Sequence, residues 1–179
     1  MQAPLPTLKA ILLYFCENTD IRFLGKVKMM KLFYFLDFLH VKKYGIPVTM
    51  DRYVNLEHGP IPSSIKNLVD SLADDPDHSP LADTVLVERR DGEVIQRIVP
   101  VRKMKESELN TFSPSELDIL KEVCRRFGTA NTETIERASH DEAPWRLTNF
   151  LDSIPYELAA KDPDCVMDEE DIRIASMLV

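Results

Sequence analysis

The chain has 179 residues, 44% of them apolar and 29% charged, with 22 Lys+Arg against 30 Asp+Glu and a net charge of −8. That apolar share excludes a disordered chain, and about two-thirds of the unfolded surface can be buried at this length, so one domain with its own core is expected. The net charge excludes a protein that coats nucleic acid through bulk positive potential.

Residues 7–18 place Leu8, Ile11, Leu12, Phe15 and Cys16 on one helical face, with Pro4 and Pro6 as lead-in and Thr7 as the expected N-cap. Residues 25–44 predict a long helix that is apolar almost all round, from Val27 and Met30 through Phe33, Tyr34 and Phe38 to Val41. Such a helix belongs at the centre of a domain, and Gly45 with Pro47 ends it. Val48, Tyr53 and Val54 read as strand, and Gly59, Pro60 and Pro62 as a turn. Ser63 or Ser64 would then cap a helix to about Leu72. Residues 84–89 and 94–101 are β-rich runs flanking Asp91-Gly92, a strong hairpin signal. Ser113-Pro114-Ser115-Glu116 is a capping box that opens a helix ending at Gly128. A short helix is expected over residues 132–139, a further turn around Leu147 and Leu151, and a last helix from Asp168. The expected fold is mainly α (α+β): a helical bundle around one central apolar helix with a small antiparallel β-hairpin. No internal repeat or low-complexity linker appears, so residues 1–179 read as a single domain.

Cys16, Cys124 and Cys165 stand far apart in no CxxC spacing and read as free thiols of a reducing cytosol. The first residues lack the pattern of a secretory leader, and the longest apolar run, residues 29–36, is broken by Lys31 and followed by Asp37. A membrane span needs ~20 apolar residues, so a cytoplasmic protein without membrane contact is expected. Charge is uneven: the first 45 residues sum to +4 and the remainder to −12, with eight acids between Asp152 and Asp171. That acidic run reads first as a solvated face, and second as a surface for a basic partner.

No nucleophile elbow, zinc-protease motif or phosphate loop is present. His78 sits in a polar loop. His40 lies near the C-terminal end of the long helix, where the dipole favours a cation. His58 and His140 each sit in a punctuated turn. Together with Glu57 and Asp141 they could form a metal or acid–base cluster if the turns met, although a structural role in each turn is the preferred reading. Trp145 reads as a core anchor before an interface residue. A basic side of the long helix (Lys26, Lys28, Lys31, Lys42, Lys43) and a helix pair over residues 114–139 leave DNA binding open. Glu133 and Glu136 on the second helix of that pair disfavour it.

Three segments together resemble one family. Lys28 to Phe35 (KMMKLFYF) is similar to its lysine-bearing apolar helix. Tyr44-Gly45-Ile46-Pro47, followed by Asn55-Leu56-Glu57-His58-Gly59-Pro60, is similar to its Gly-Pro segment. Phe127-Gly128, Ala138-Ser139-His140 and Pro144-Trp145 are similar to its ending. The family is the Panacea domain, of SocA-like antitoxins and phage-associated GepA proteins, and the resemblance covers residues 7–147. Two positions depart from the family pattern, Asn55 where it has Ala and His58 before Gly59-Pro60, and the acidic segment and helix of residues 148–179 lie outside the match. The resemblance implies an antitoxin of a bacterial or prophage toxin–antitoxin pair, not an enzyme and without cofactor or bound metal. It would neutralise a cognate protein toxin by direct binding or by delivery to a protease, so that a protease or chaperone is a further partner. Lys28, Lys31, Glu57, His58, Gly59, Pro60, His140, Trp145 and Arg146 are the candidate partner-binding residues. Lys28 and Lys31 would either pair with an acid of this chain such as Glu57 or face an acidic patch of the toxin. The alternatives are a DNA-binding regulator and a metal-dependent hydrolase built on His58 and His140.

Overall fold

The apolar run that follows Gly25 folds as one helix, α2 (Lys26–Tyr44), in the computed structural model of the chain, which describes residues 2–89 and 96–177. Every α2 residue from Lys28 to Lys42 is buried. The helix ends as expected at Gly45, whose φ of 82° is the left-handed conformation that glycine adopts without strain, and its N–H closes on Val41 O at 2.8 Å.

The other elements pack around this axis. α1 (Leu5–Asn18) brings Phe15 edge-on to Phe33, with ring centroids 5.6 Å apart. It begins two residues before Thr7, because Pro6 is tolerated in a first turn that needs no N–H donor. α3 spans Ser63–Asp74 and the one-turn α4 spans Glu106–Leu109. α5 (Pro114–Phe127) carries the expected reciprocal capping box between Ser113 and Glu116, and its Phe127 stacks on Phe35 at 4.3 Å. α6 (Thr132–His140) is capped by Asn131, α7 is the single turn Ala143–Arg146, and α8 (Glu169–Met177) packs Ile172 into the same apolar cluster as α1 and α2.

Strands β1 (Tyr53–Leu56), β2 (Gly59–Pro62) and β5 (Ser153–Ile154) form an antiparallel sheet in the order β2-β1-β5. β3 (Val85–Arg89) and β4 (Gln96–Pro100) form the expected second hairpin, whose Asp91-Gly92 turn lies outside the described residues. The fold is thus mainly α with a minor antiparallel β part, and it has one sheet more than the sequence suggested. Gly59 and Pro60 are not the turn. Glu57 and His58 turn, and the two following residues open β2. Ser63 and Ser64 do not cap α3, because Asp51 does so from outside it: its carboxylate accepts from Ser64 N at 3.1 Å and Ile65 N at 3.0 Å. Val48 is not in a strand, because its N–H is taken by α2.

That acceptor is Asp37, a fully buried carboxylate on α2. Oδ1 accepts from Val48 N at 2.8 Å and Thr49 N at 2.7 Å, and Oδ2 from the hydroxyls of Thr49, Tyr53 (2.8 Å) and Tyr156 (3.3 Å). Burial pushes its pKa up to about 6, and the hydrogen bonds restrain the rise. The raised folded value means that the proton is kept in the fold and lost in the unfolded chain. This contribution is therefore complete below the ordinary aspartate value of 3.8 and is lost as pH rises through about 6.

Asp37→Leu strands two backbone donors and should lower the urea-unfolding free energy by ~3 kcal/mol or more at pH 7. Asp37→Asn keeps one oxygen for those donors while the hydroxyls can rotate to accept, so it should cost clearly less. It should also remove the part of the stability decline between about pH 4 and 6 that Asp37 contributes. Equal costs for the two variants would contradict this assignment.

Candidate functional site

The three sequence segments converge at one junction beside the β1–β2 hairpin. Lys31 Nζ, fully buried, donates to Pro60 O at 2.8 Å. Burial lowers its pKa to about 7, partly offset by Glu136. Lys28 Nζ, also buried, donates to Gly128 O at 2.8 Å and Ala130 O at 2.7 Å, closing the exit of α5. Neither lysine pairs with Glu57, and neither side chain reaches the surface to face an acidic patch. A carbonyl is the partner in each case, because α2 brings them against chain ends whose oxygens lack helical or sheet partners.

Gly59, at φ 90°, lies against α6. A Cβ there would stand 2.8 Å from Ser139 Oγ and 2.9 Å from His140 Nε2. His140 stacks on Trp145 with ring centroids 4.0 Å apart and planes 15° from parallel, which makes Trp145 a half-buried anchor of the core rim. The two histidine turns do meet, but through a glycine backbone and a ring face. His58 is exposed and its Nδ1 lies 3.3 Å from Glu136 Oε1, and among the described residues no three His, Cys, Asp or Glu side chains converge as metal ligands. The hydrolase alternative therefore has no ligand set among these residues.

The basic side of α2 is not a surface strip either. Lys42 is buried and meets Glu142 at 2.9 Å, Asp162 at 3.0 Å and Asp164 at 2.9 Å. Burial opposes its charge, and the three carboxylates outweigh that and raise its pKa. Two acids of the Asp152–Asp171 run thus serve the interior. His40 is not a cation at a helix end: its Nδ1 bonds Ile46 O at 2.6 Å, Nε2 bonds Ser115 Oγ at 3.1 Å, and burial lowers its pKa.

Of the candidate residues, only Glu57, His58 and Arg146 are exposed. Glu57 and His58 stand on the lip of an apolar groove of about 470 Å³, which patterning along the chain did not reveal. Val27 and Met30 of α2 form its floor, with Leu56 and Ile61 of the hairpin and Val69 of α3. Lys26 and Lys66 line one side, and both are bonded to Asp70 between them. Phe150, 62% exposed, closes the groove from the segment after α7, where Leu147 and Leu151 are 59% and 64% exposed. Solvent-facing apolar residues on a turn leave no periodic trace, so only the expectation of a turn at Leu147 and Leu151 pointed here. Asn55 secures that turn: its Nδ2 donates to Trp145 O at 3.0 Å and Thr148 O at 2.7 Å, and its backbone O accepts from Leu151 N at 2.8 Å.

The lysine-bearing helix, the Gly-Pro strand and the His-Trp turn form one fitted unit. A family model described as antitoxin SocA-like, Panacea domain, matches residues 29–146, from the second residue of the lysine motif to the one after Trp145. The chain belongs to the SocA-like, Panacea-domain antitoxin family. No curated protein and no solved structure matches it. The Panacea segment contains most of the groove, while Phe150 and the rest of residues 147–177 lie beyond it. Among the described residues, no helix of this Panacea-domain chain is long and apolar enough to cross a membrane.

Gly59→Ala should cost about 1–3 kcal/mol through strain at positive φ and the His140 contact, lowering Tm by roughly 2–12 °C for a chain of this size. An unchanged melting curve would show that the hairpin does not need the close approach.

Proposed function

We propose that the protein is a cytoplasmic, non-catalytic antitoxin that neutralises a cognate protein toxin by direct binding. It would contact the toxin through the face formed by the Glu57–His58 turn, the apolar groove, Arg146 and the turn over residues 147–151. Family membership supports the class, and the observation that carries the surface is the groove itself. Soluble chains seldom leave a concave apolar surface flanked by two further exposed apolar side chains, here Leu147 and Leu151, unless something covers it. The family lysines serve the interior in this reading, and their part in binding is indirect: they hold the hairpin and the α5–α6 turn on α2. Neutralisation by occupying the toxin needs only this face. Neutralisation by handing the toxin to a protease would need a second surface as well.

The test is expression of the small reading frames adjacent to this gene, alone and with it. A neighbour that arrests growth alone, is tolerated with the wild-type chain, and co-purifies with it is the expected result. If no neighbouring product is both toxic alone and relieved by this chain, the antitoxin reading fails.

A further inference from the structure

We propose that the groove receives an amphipathic helix of the toxin, apolar on the face that enters and carrying a Lys or Arg that reaches Glu57. This rests on the antitoxin reading above.

The sheet edge beside the groove excludes addition of a partner strand. β2 is an edge strand, and Ser63 N donates back to Arg52 O at 2.9 Å. Alternation therefore turns the N–H groups of Gly59 and Ile61 towards β1 and leaves the outward donor positions to Pro60 and Pro62, which have no N–H. The outward acceptor Pro60 O is taken by Lys31. With its donors absent and an acceptor used, this edge cannot template an incoming strand. What remains for recognition is side-chain shape, which a helix supplies with apolar residues at i, i+3 and i+4.

The charges on the lip favour a basic residue on that helix. Lys26 and Lys66 are both engaged by Asp70, whereas the exposed Glu57 carboxylate makes no ion pair among the described residues. A cation on the incoming helix meets a free acid at the hairpin, whereas the α3 side, with two lysines on one carboxylate, keeps a net charge of +1 and favours an acidic residue of the helix there.

Phe150 is the side chain best placed to discriminate between partners. It lies outside the matched family segment, and Asn55 holds its turn through two side-chain bonds. Asn55 is thus a positioning residue for the groove wall.

The experiment measures affinity of the purified chain for the neighbouring-gene product by calorimetry. Phe150→Asp and Glu57→Lys both change exposed residues, so the fold should be retained, as circular dichroism would verify. Each should weaken binding at least tenfold, Asn55→Ala should weaken it about three- to fivefold, and Val101→Asp, at an exposed apolar site of β4's exit, should stay within twofold. Exchanging a basic residue of the toxin helix for Glu should restore affinity for Glu57→Lys. Hydrogen exchange should show a helical toxin segment protected in the complex. Wild-type binding that neither groove variant disturbs overturns the docking site and leaves the antitoxin reading standing. Protection of an extended segment overturns the helix, and concentration-dependent self-association abolished by Phe150→Asp would assign the groove to a second copy of this chain. Absence of any binding by the wild-type chain removes the antitoxin reading and this inference with it.

Discussion

A helix buried on every side cannot send its charged groups to water, so each must find a partner inside the protein. α2 turns that constraint into the framework of the fold. Lys28 holds the turn between α5 and α6, Lys31 the edge of the hairpin, Asp37 the approach to β1, His40 the exit of α2 itself and Ser115 of α5, and Lys42 the acidic C-terminal segment. Each polar side chain reaches a different piece of chain that lacks regular partners for its own backbone or charge. Apolar packing makes α2 the core, and these bonds decide which loop lies against which part of it.

The residues that signal the family then divide between the interior and the proposed contact face. The motif lysines, Gly59 and Pro60 are interior fittings, and the groove beside them is lined by their motif neighbours Met30, Leu56, Glu57 and His58 together with residues outside the motifs. Here one wall is contributed by Phe150, beyond the matched segment, and is fastened by Asn55.

Helical periodicity made α1, α2, α5, α6 and α8 legible, and the Ser113–Glu116 box and Gly45 marked their ends, because these signals are local. What escaped was tertiary. Asp51 outcompetes Ser63 and Ser64 as the cap of α3 from a dozen residues away, and β5 is a two-residue strand that exists only because β1 offers it an edge. The lysines of α2 suggested a basic strip, and three of the seven cationic side chains in the first 45 residues are instead spent on internal carbonyls and on Glu142, Asp162 and Asp164. The net charge of −8 still argues against coating nucleic acid, yet its uneven distribution along the chain is partly cancelled inside the fold rather than displayed. The groove was illegible because three separate elements and one turn assemble it.

The central claim is that the motif lysines are internal anchors, and accessibility decides it most directly. Brief reductive methylation of the native protein, followed by peptide mass spectrometry, should modify Lys43, Lys66 and Lys103 readily. Lys28, Lys31 and Lys42 should remain unmodified until the chain is unfolded. Modification of Lys28 and Lys31 at the rate of Lys43 would place them at the surface and contradict the account.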